Sequence, residues 1–301
     1  MLSRLVPAPL VRLFARPYVA GYSMEAALTS AAELLEAPRL LSTLDLLGEH
    51  VTEREQVDAN LATYERLIDA LGERARFPDR AARPTVSVKP SAFTTGEQRA
   101  AFELIRGLAE RARAREVGLT IDMEDHPWTD MTIERAVALF HDGFDVGTVL
   151  QSRLNRYRED AAAIPAGMRV RLVIGIYREP AEIATTDKRE MKARLLEMAA
   201  TLLDAGAFVE FATHDEAIVE RFARELAPRA AERCEVQMLL GVPRGAIQER
   251  LLQGAFGVPL PVRLYVPFGI RKADATAYLR RRMDENPRMA LDVLRNLARR
   301  R

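Results

Sequence analysis

Apolar and polar positions alternate along most of the chain in two rhythms. Short runs rich in β-branched and apolar residues occur at STLDLL (42–47), TVSVK (85–89), LTIDME (119–124), DVGTVLQ (145–151), RVRLVIG (169–175), FVEFAT (208–213), EVQMLL (235–240) and VRLYVP (262–267). Between them lie longer stretches such as EREQVDANLATYERLIDAL (53–71), TGEQRAAFELIRGLAERARA (95–114) and KREMKARLLEMAATLLDAG (188–206), whose apolar residues recur at steps of three and four. The first rhythm predicts strands, the second helices with one buried face. Strand then helix, eight times in about 250 residues, predicts an α/β fold of the parallel (β/α)8 TIM-barrel type. A doubly wound open sheet is the alternative, but no GxGxxG follows a strand. Residues 1–40 read as a helical extension before the barrel, 41–301 as the barrel domain, and 287–301 as a short closing helix.

Composition narrows the function classes. The chain has 301 residues, 48% hydrophobic and 29% charged, with a net charge of +1. That is an ordinary globular balance with material for a large core, and it offers no concentrated basic face for nucleic acid. A single cysteine, Cys234, excludes an internal disulfide and a cysteine-based zinc site and suits a reducing, cytoplasmic compartment. His50, His126, His141 and His214 show no ligand spacing, so no metal is expected. No run of eighteen apolar residues is present to span a membrane. The acid-free, arginine-bearing start, residues 1–23, reads equally as a transit peptide and as a docked helix interrupted by prolines.

Barrel active sites form at the C-terminal ends of the strands, and those ends are unusually polar here. They carry Lys89, Asp122 with Glu124, Gln151, Arg171 with Tyr177, Thr213 with His214 and Asp215, Gln237, and Tyr265. Each has a plain explanation: a solvated lysine, a helix cap at Asp122 or His214, a core hydrogen bond at Gln237. Together they predict a ligand, because buried polar groups cost free energy unless something pairs them.

After the last strand comes AYLRRRMDEN (277–286). An arginine run is ordinarily a solvated face. At helical spacing, however, Tyr278, Arg281, Arg282 and Glu285 share one side while Arg280 points elsewhere. Two guanidinium groups on one side suit a carboxylate clamp, with Glu285 as a brace. This predicts a small carboxylate-bearing substrate beneath that helix.

The chain resembles the proline dehydrogenases in VSVKPSAF (86–93), TIDMED (120–125), VLQS (149–152), RLVIGIY (171–177), FATHD (211–215), EVQMLLGV (235–242), RLYVPFG (263–269) and YLRRRMDEN (278–286), in that order and from about residue 42 onward. The resemblance implies a distorted (β/α)8 barrel of the short, monofunctional kind, non-covalent FAD, and oxidation of L-proline to Δ1-pyrroline-5-carboxylate by hydride transfer from C5 to flavin N5. Arg281 and Arg282 are then expected to hold the substrate carboxylate with Lys89 near it, and Glu285 to brace them. Tyr177, Leu239, Tyr265 and Tyr278 are expected to shape the pocket, and Lys89, Asp122, Arg171 and Tyr177 to stand at the reacting centre. Asp122, Gln151, Arg171, Thr213, His214 and Gln237 match cofactor-holding positions. The family also implies electron transfer to a quinone at a membrane surface, placing the protein against the inner face of the cell membrane. A separate pyrroline-5-carboxylate dehydrogenase is expected, because this length leaves no room for a second enzyme domain.

Three features depart from the family pattern. Ile174 and Ile176 stand where lysine and alanine are usual, Ser152 and Arg153 follow Gln151 where Ala-Tyr is common, and the 269–278 segment is longer. Tyr265 would crowd a 4-hydroxyl, which favours proline over hydroxyproline. Two other readings stay open: a flavin-free barrel lyase on a small carboxylate with Lys89 as Schiff-base lysine and Asp122 as acid/base, and a non-catalytic protein whose basic helix binds an acidic partner.

Overall fold

Strand residues alternate between a face turned to the helices and a face turned into the barrel. That alternation organises the computed structural model, which describes residues 17–49, 51–73, 75–271, Thr276 and Tyr278. Eight strands, β1 (Leu41–Leu47), β2 (Thr85–Val88), β3 (Leu119–Ile121), β4 (Val146–Gln151), β5 (Arg169–Val173), β6 (Phe208–Ala212), β7 (Cys234–Leu239) and β8 (Val262–Gly269), pair in chain order and close with β8 beside β1. Every pairing is parallel. All eight expected strands are present, and the expected barrel is the observed one.

The helices around it are α1 (Met24–Glu36), α2 (Arg54–Leu71), α3 (Gln98–Ala114), α4 (His126–His141), α5 (Tyr157–Ala162), α6 (Lys188–Asp204), α7 (Glu216–Glu225) and α8 (Gly245–Leu252). α1 precedes the barrel and packs on β1 and β8. Most boundaries fall within two residues of expectation, and the two larger differences have local reasons. α3 starts at Gln98 rather than 95 because the Thr94 hydroxyl accepts from Gly96 N and donates to the Glu97 carbonyl, a turn that precedes the helix. β3 stops at Ile121 rather than 124 because the chain bends there, and the Glu124 carboxylate takes the Ser91 amide and hydroxyl.

The outward strand faces are apolar. Leu44, Val86, Ile121, Leu172, Phe211, Val236 and Val266 are all fully buried beneath the helices. Each such side chain contributes roughly 1.5–3 kcal/mol of transfer free energy. The inward faces are the reverse: Thr43, Asp45, Ser87, Thr120, Arg171, Glu210, Glu235 and Gln237 are polar and buried. The barrel is thus filled by hydrogen-bonded ions rather than by branched aliphatics. Gly147 belongs to this interior, where a Cβ would lie 2.7 Å from the Arg169 carbonyl oxygen. Among the described residues, no helix is long and apolar enough to cross a membrane.

Candidate active site

The interior ions form two floors. On the lower floor, Arg169 reaches Glu210 (3.0 Å) and Asp145 (3.0 Å), and Arg263 reaches Glu235 (2.6 Å) and the Ser42 carbonyl (2.9 Å). Burial opposes the charge on Arg169, but Asp145 and Glu210 outweigh it and raise its pKa further. Gln237 joins the floors, donating to Glu235 (2.7 Å) and accepting from Arg171 Nε (2.6 Å).

The upper floor, at the C-terminal mouth, gathers Asp45, Ser87, Lys89, Asp122, Arg171 and Tyr265. Asp122 Oδ1 accepts from Ser87 Oγ and Arg171 Nη1, each at 2.7 Å, and its Oδ2 accepts from Tyr265 Oη at 2.6 Å. Burial alone would raise this carboxyl. The Arg171 and Lys89 charges and the hydroxyl donors outweigh it and hold Asp122 below its ordinary range. Lys89 Nζ donates to Asp45 Oδ1 and to Tyr265 Oη (3.2 Å) and lies 3.6 Å from Asp122 Oδ2. Burial pulls the lysine down, but Asp45, Tyr265 and Asp122 hold its pKa well above the usual value. Asp45 differs from Asp122. Burial raises it, Lys89 only partly offsets this, Asp122 and Glu49 repel its charge, and the carboxyl is pushed up to about 7.

The plain readings of Lys89, Asp122 and His214 give way here. Lys89 is ion-paired, with its side chain only 14% exposed. The cap position of α4 is Asp125, not Asp122. The cap of α7 is Asp215, whose side chain accepts from Ile218 N, while His214 Nε2 accepts from Leu239 N at 2.8 Å and ties β6 to β7. Arg171 is no strand end either: it sits inside β5, and Tyr177 lies beyond the strand.

Those of the remaining expected residues that are described lie at the same C-terminal end of the barrel. Gln151 donates to the Glu124 carbonyl (3.1 Å), and Thr213 Oγ1 accepts from Asp215 N (3.2 Å). The Tyr177 carbonyl accepts from Arg153. Burial raises the pKa of the half-buried Tyr177 phenol, so it stays protonated. Leu239 is half-buried, and Tyr278 is buried. Arg281, Arg282 and Glu285 lie outside the described residues. Sequence reading missed Asp45 and Ser87. The signal was there in the alternation, since Asp45 shares its parity with Thr43 and faces Ser87 in the strand register.

One donor at the mouth is left over. Arg171 Nη2 is buried with no partner among the described residues. Gly175 has φ +98°, and a Cβ there would collide with the amide oxygen of Gln151. The glycine thus lets the turn after β5 close against Gln151 and Arg153, while the unspent guanidinium donor is a group that a polar ligand edge could pair.

Comparison with known proteins agrees with this fold. The family model described as proline dehydrogenase matches residues 28–293. The chain is 32% identical to the proline dehydrogenase of Deinococcus radiodurans, over 94% of this chain and 89% of that one. It is 28% identical to proline dehydrogenase 1 of Bacillus subtilis strain 168, over 98% and 94%. The proline utilization A structure from Bdellovibrio bacteriovorus, inactivated by N-propargylglycine, superposes with a TM-score of 0.78 at 23% identity. That match covers 91% of this chain but 32% of the other, so the chain spans about a third of that longer protein.

Proposed function

The chain belongs to the proline dehydrogenase family, and on that premise we propose that it oxidises L-proline to Δ1-pyrroline-5-carboxylate with bound FAD. The observation that carries this reading is the convergence of Lys89, Asp122, Arg171 and Tyr265 in one hydrogen-bonded network at the C-terminal mouth.

FAD, when bound, supplies a two-electron acceptor for hydride from C5 at N5. Arg171 offers it the unpartnered Nη2 and favours negative charge beside it. Asp122 holds Arg171 in place, and Gln151, Thr213, His214 and Gln237 line the same mouth as further holding groups. On the substrate side, Lys89 presents its ammonium to the carboxylate, and Arg281 and Arg282, braced by Glu285, complete the clamp. Tyr177, Leu239, Tyr265 and Tyr278 wall the ring and keep water out. The Tyr265 hydroxyl is committed to Asp122 and Lys89, so it has little freedom to make way for a 4-hydroxyl, which favours proline over hydroxyproline. The Schiff-base alternative needs a neutral Lys89. The network favours the ammonium instead, which weighs against a lyase.

Electrons then pass to a quinone at a membrane surface, and a separate pyrroline-5-carboxylate dehydrogenase consumes the product. The test is the absorption spectrum of the purified protein before and after anaerobic L-proline. Flavin bands that bleach support the assignment. Flavin bands that proline leaves unchanged point to another cyclic amine, and no flavin after reconstitution removes the reading.

A further inference from the structure

Two carboxylates flank Lys89, and they are built for different tasks. Both Asp122 oxygens are engaged, by Ser87, Arg171 and Tyr265. Asp45 is fully buried beneath Lys89, accepts from Lys89 at Oδ1, and leaves Oδ2 without a partner among the described residues. Among the described residues, the groups around Asp45 offer no second donor. Ser87 Oγ is committed to Asp122, and the Tyr64 hydroxyl from α2 donates to the Ser87 carbonyl at 2.6 Å. Tyr265 from β8 donates to Asp122, and Glu49 beyond β1 contributes only repulsion. Lys89 is the exposed end of this pair, so a ligand at the mouth meets Lys89 and reaches Asp45 through it.

We propose that Asp45 accepts the proton of the substrate's ring ammonium, relayed through Lys89. The inference rests on the proposed oxidation of a cyclic amino acid. An N–H bond of the ammonium breaks and leaves its electron pair on nitrogen. Lys89, an ammonium at rest, passes one of its protons to Asp45 Oδ1 along their hydrogen bond, and the lone pair this leaves on Nζ takes the substrate's proton in the same step. Net, ammonium and carboxylate become free amine and carboxylic acid, and Lys89 ends charged as it began. The nitrogen lone pair so released is what lets C5 part with hydride to the flavin. After product leaves, Asp45 returns the proton to solvent by the same route. Asp122 cannot serve, because four polar neighbours hold it ionised, whereas burial makes the neutral form accessible at Asp45.

The test compares the wild-type holoenzyme with Asp45→Asn and Asp45→Glu, following anaerobic flavin reduction by L-proline between about pH 6 and 10. FAD content is read from absorbance, and binding of the ring-oxygen analogue of proline, which has no proton to give, is titrated in parallel. Asp45→Asn should reduce flavin on the order of 10²-fold more slowly at neutral pH. The deficit should shrink as alkaline solvent takes over deprotonation, with analogue affinity and FAD content unchanged. Asp45→Glu should retain the acid limb of the wild-type profile, and it carries the test should the asparagine variant not fold. A pH-independent deficit that tracks weakened analogue binding, or an asparagine variant as fast as wild type, overturns the proposal. Wild-type flavin that L-proline leaves oxidised removes L-proline as the substrate, a failure of the functional reading and not of Asp45.

Discussion

Arg171 Nη1 lies 2.7 Å from Asp122 Oδ1, with the two side chains 6% and 10% exposed. Removing one member of such a buried pair strands the other. Asp122→Ala should therefore cost about 3–5 kcal/mol in urea unfolding. The pH dependence has a definite sign. The folded-state carboxyl is depressed below its ordinary 3.8, so its contribution is complete above that value and fades as pH falls through the folded-state value. The gap between wild type and variant should be widest near neutrality and narrow on acidification below about pH 4. A gap that widened there would contradict the pairing.

The two floors should separate stability from catalysis. Arg169 sits at the start of β5, on the lower floor, where it pairs with Glu210 and Asp145 and donates to the Leu119 carbonyl at 3.0 Å. Arg169→Met leaves the 2%-exposed Glu210 carboxylate without its nearest cation. The expected loss is again about 3–5 kcal/mol, yet kcat/KM of the folded fraction should stay within about threefold, since the N-terminal face serves stability. Thermal melts alongside steady-state kinetics decide it.

How much of this was legible in the sequence depends on the range of the interaction. Period-two and period-3.6 patterns are local, so all eight strands could be read, and the largest boundary errors fell at Ile121 and Gln98, where a side-chain bond or a turn ended the element. Lys89, Asp122, Arg171, Gln237 and Tyr265 were visible as polar residues in apolar strands. Their partnerships were not, because Lys89–Asp45 spans 44 positions and Tyr265–Asp122 spans 143. Only barrel closure brings them together. Asp45 in STLDLL was missed for the same reason. That the barrel is filled with ions became readable only once β1 to β8 had a common interior.

The arginines after β8 carry the substrate prediction that sequence spacing makes alone. Arg281→Met and Arg282→Met should each raise KM for proline on the order of 30-fold or more, the cost of removing one partner from a charge-assisted pair. Arg280→Met should stay within about twofold, because helical spacing sends it to another side. Equal effects at all three positions would favour the acidic-partner reading over a carboxylate clamp. Steady-state kinetics across proline concentrations distinguishes these outcomes, since kcat should fall less than KM rises.

A last prediction concerns residues 17–21, which cross the C-terminal face. Ala20 N donates to the Pro267 carbonyl (2.8 Å) and Gly269 N to the Gly21 carbonyl (3.0 Å), so this segment continues the hydrogen bonding of β8 at its end. Tyr18 and Val19 within it are buried. The segment passes directly over Gly241, whose φ of +81° suits glycine, and where a Cβ would collide with the Pro17 carbonyl. Gly241→Val combines backbone strain with that collision and should cost about 2–4 kcal/mol. If the segment lifts rather than β7 shifting, the Tyr18 side becomes protease-sensitive before the barrel melts. KM should then rise, because β8 carries Tyr265 and leads into the buried Thr276 and Tyr278. FAD content should hold, because Arg171 and Gln151 are anchored on β5 and β4, away from the segment. Limited proteolysis, KM and bound-flavin absorbance measured on one preparation test all three, and early loss of flavin with unchanged KM would show that the segment does not govern the β8 exit.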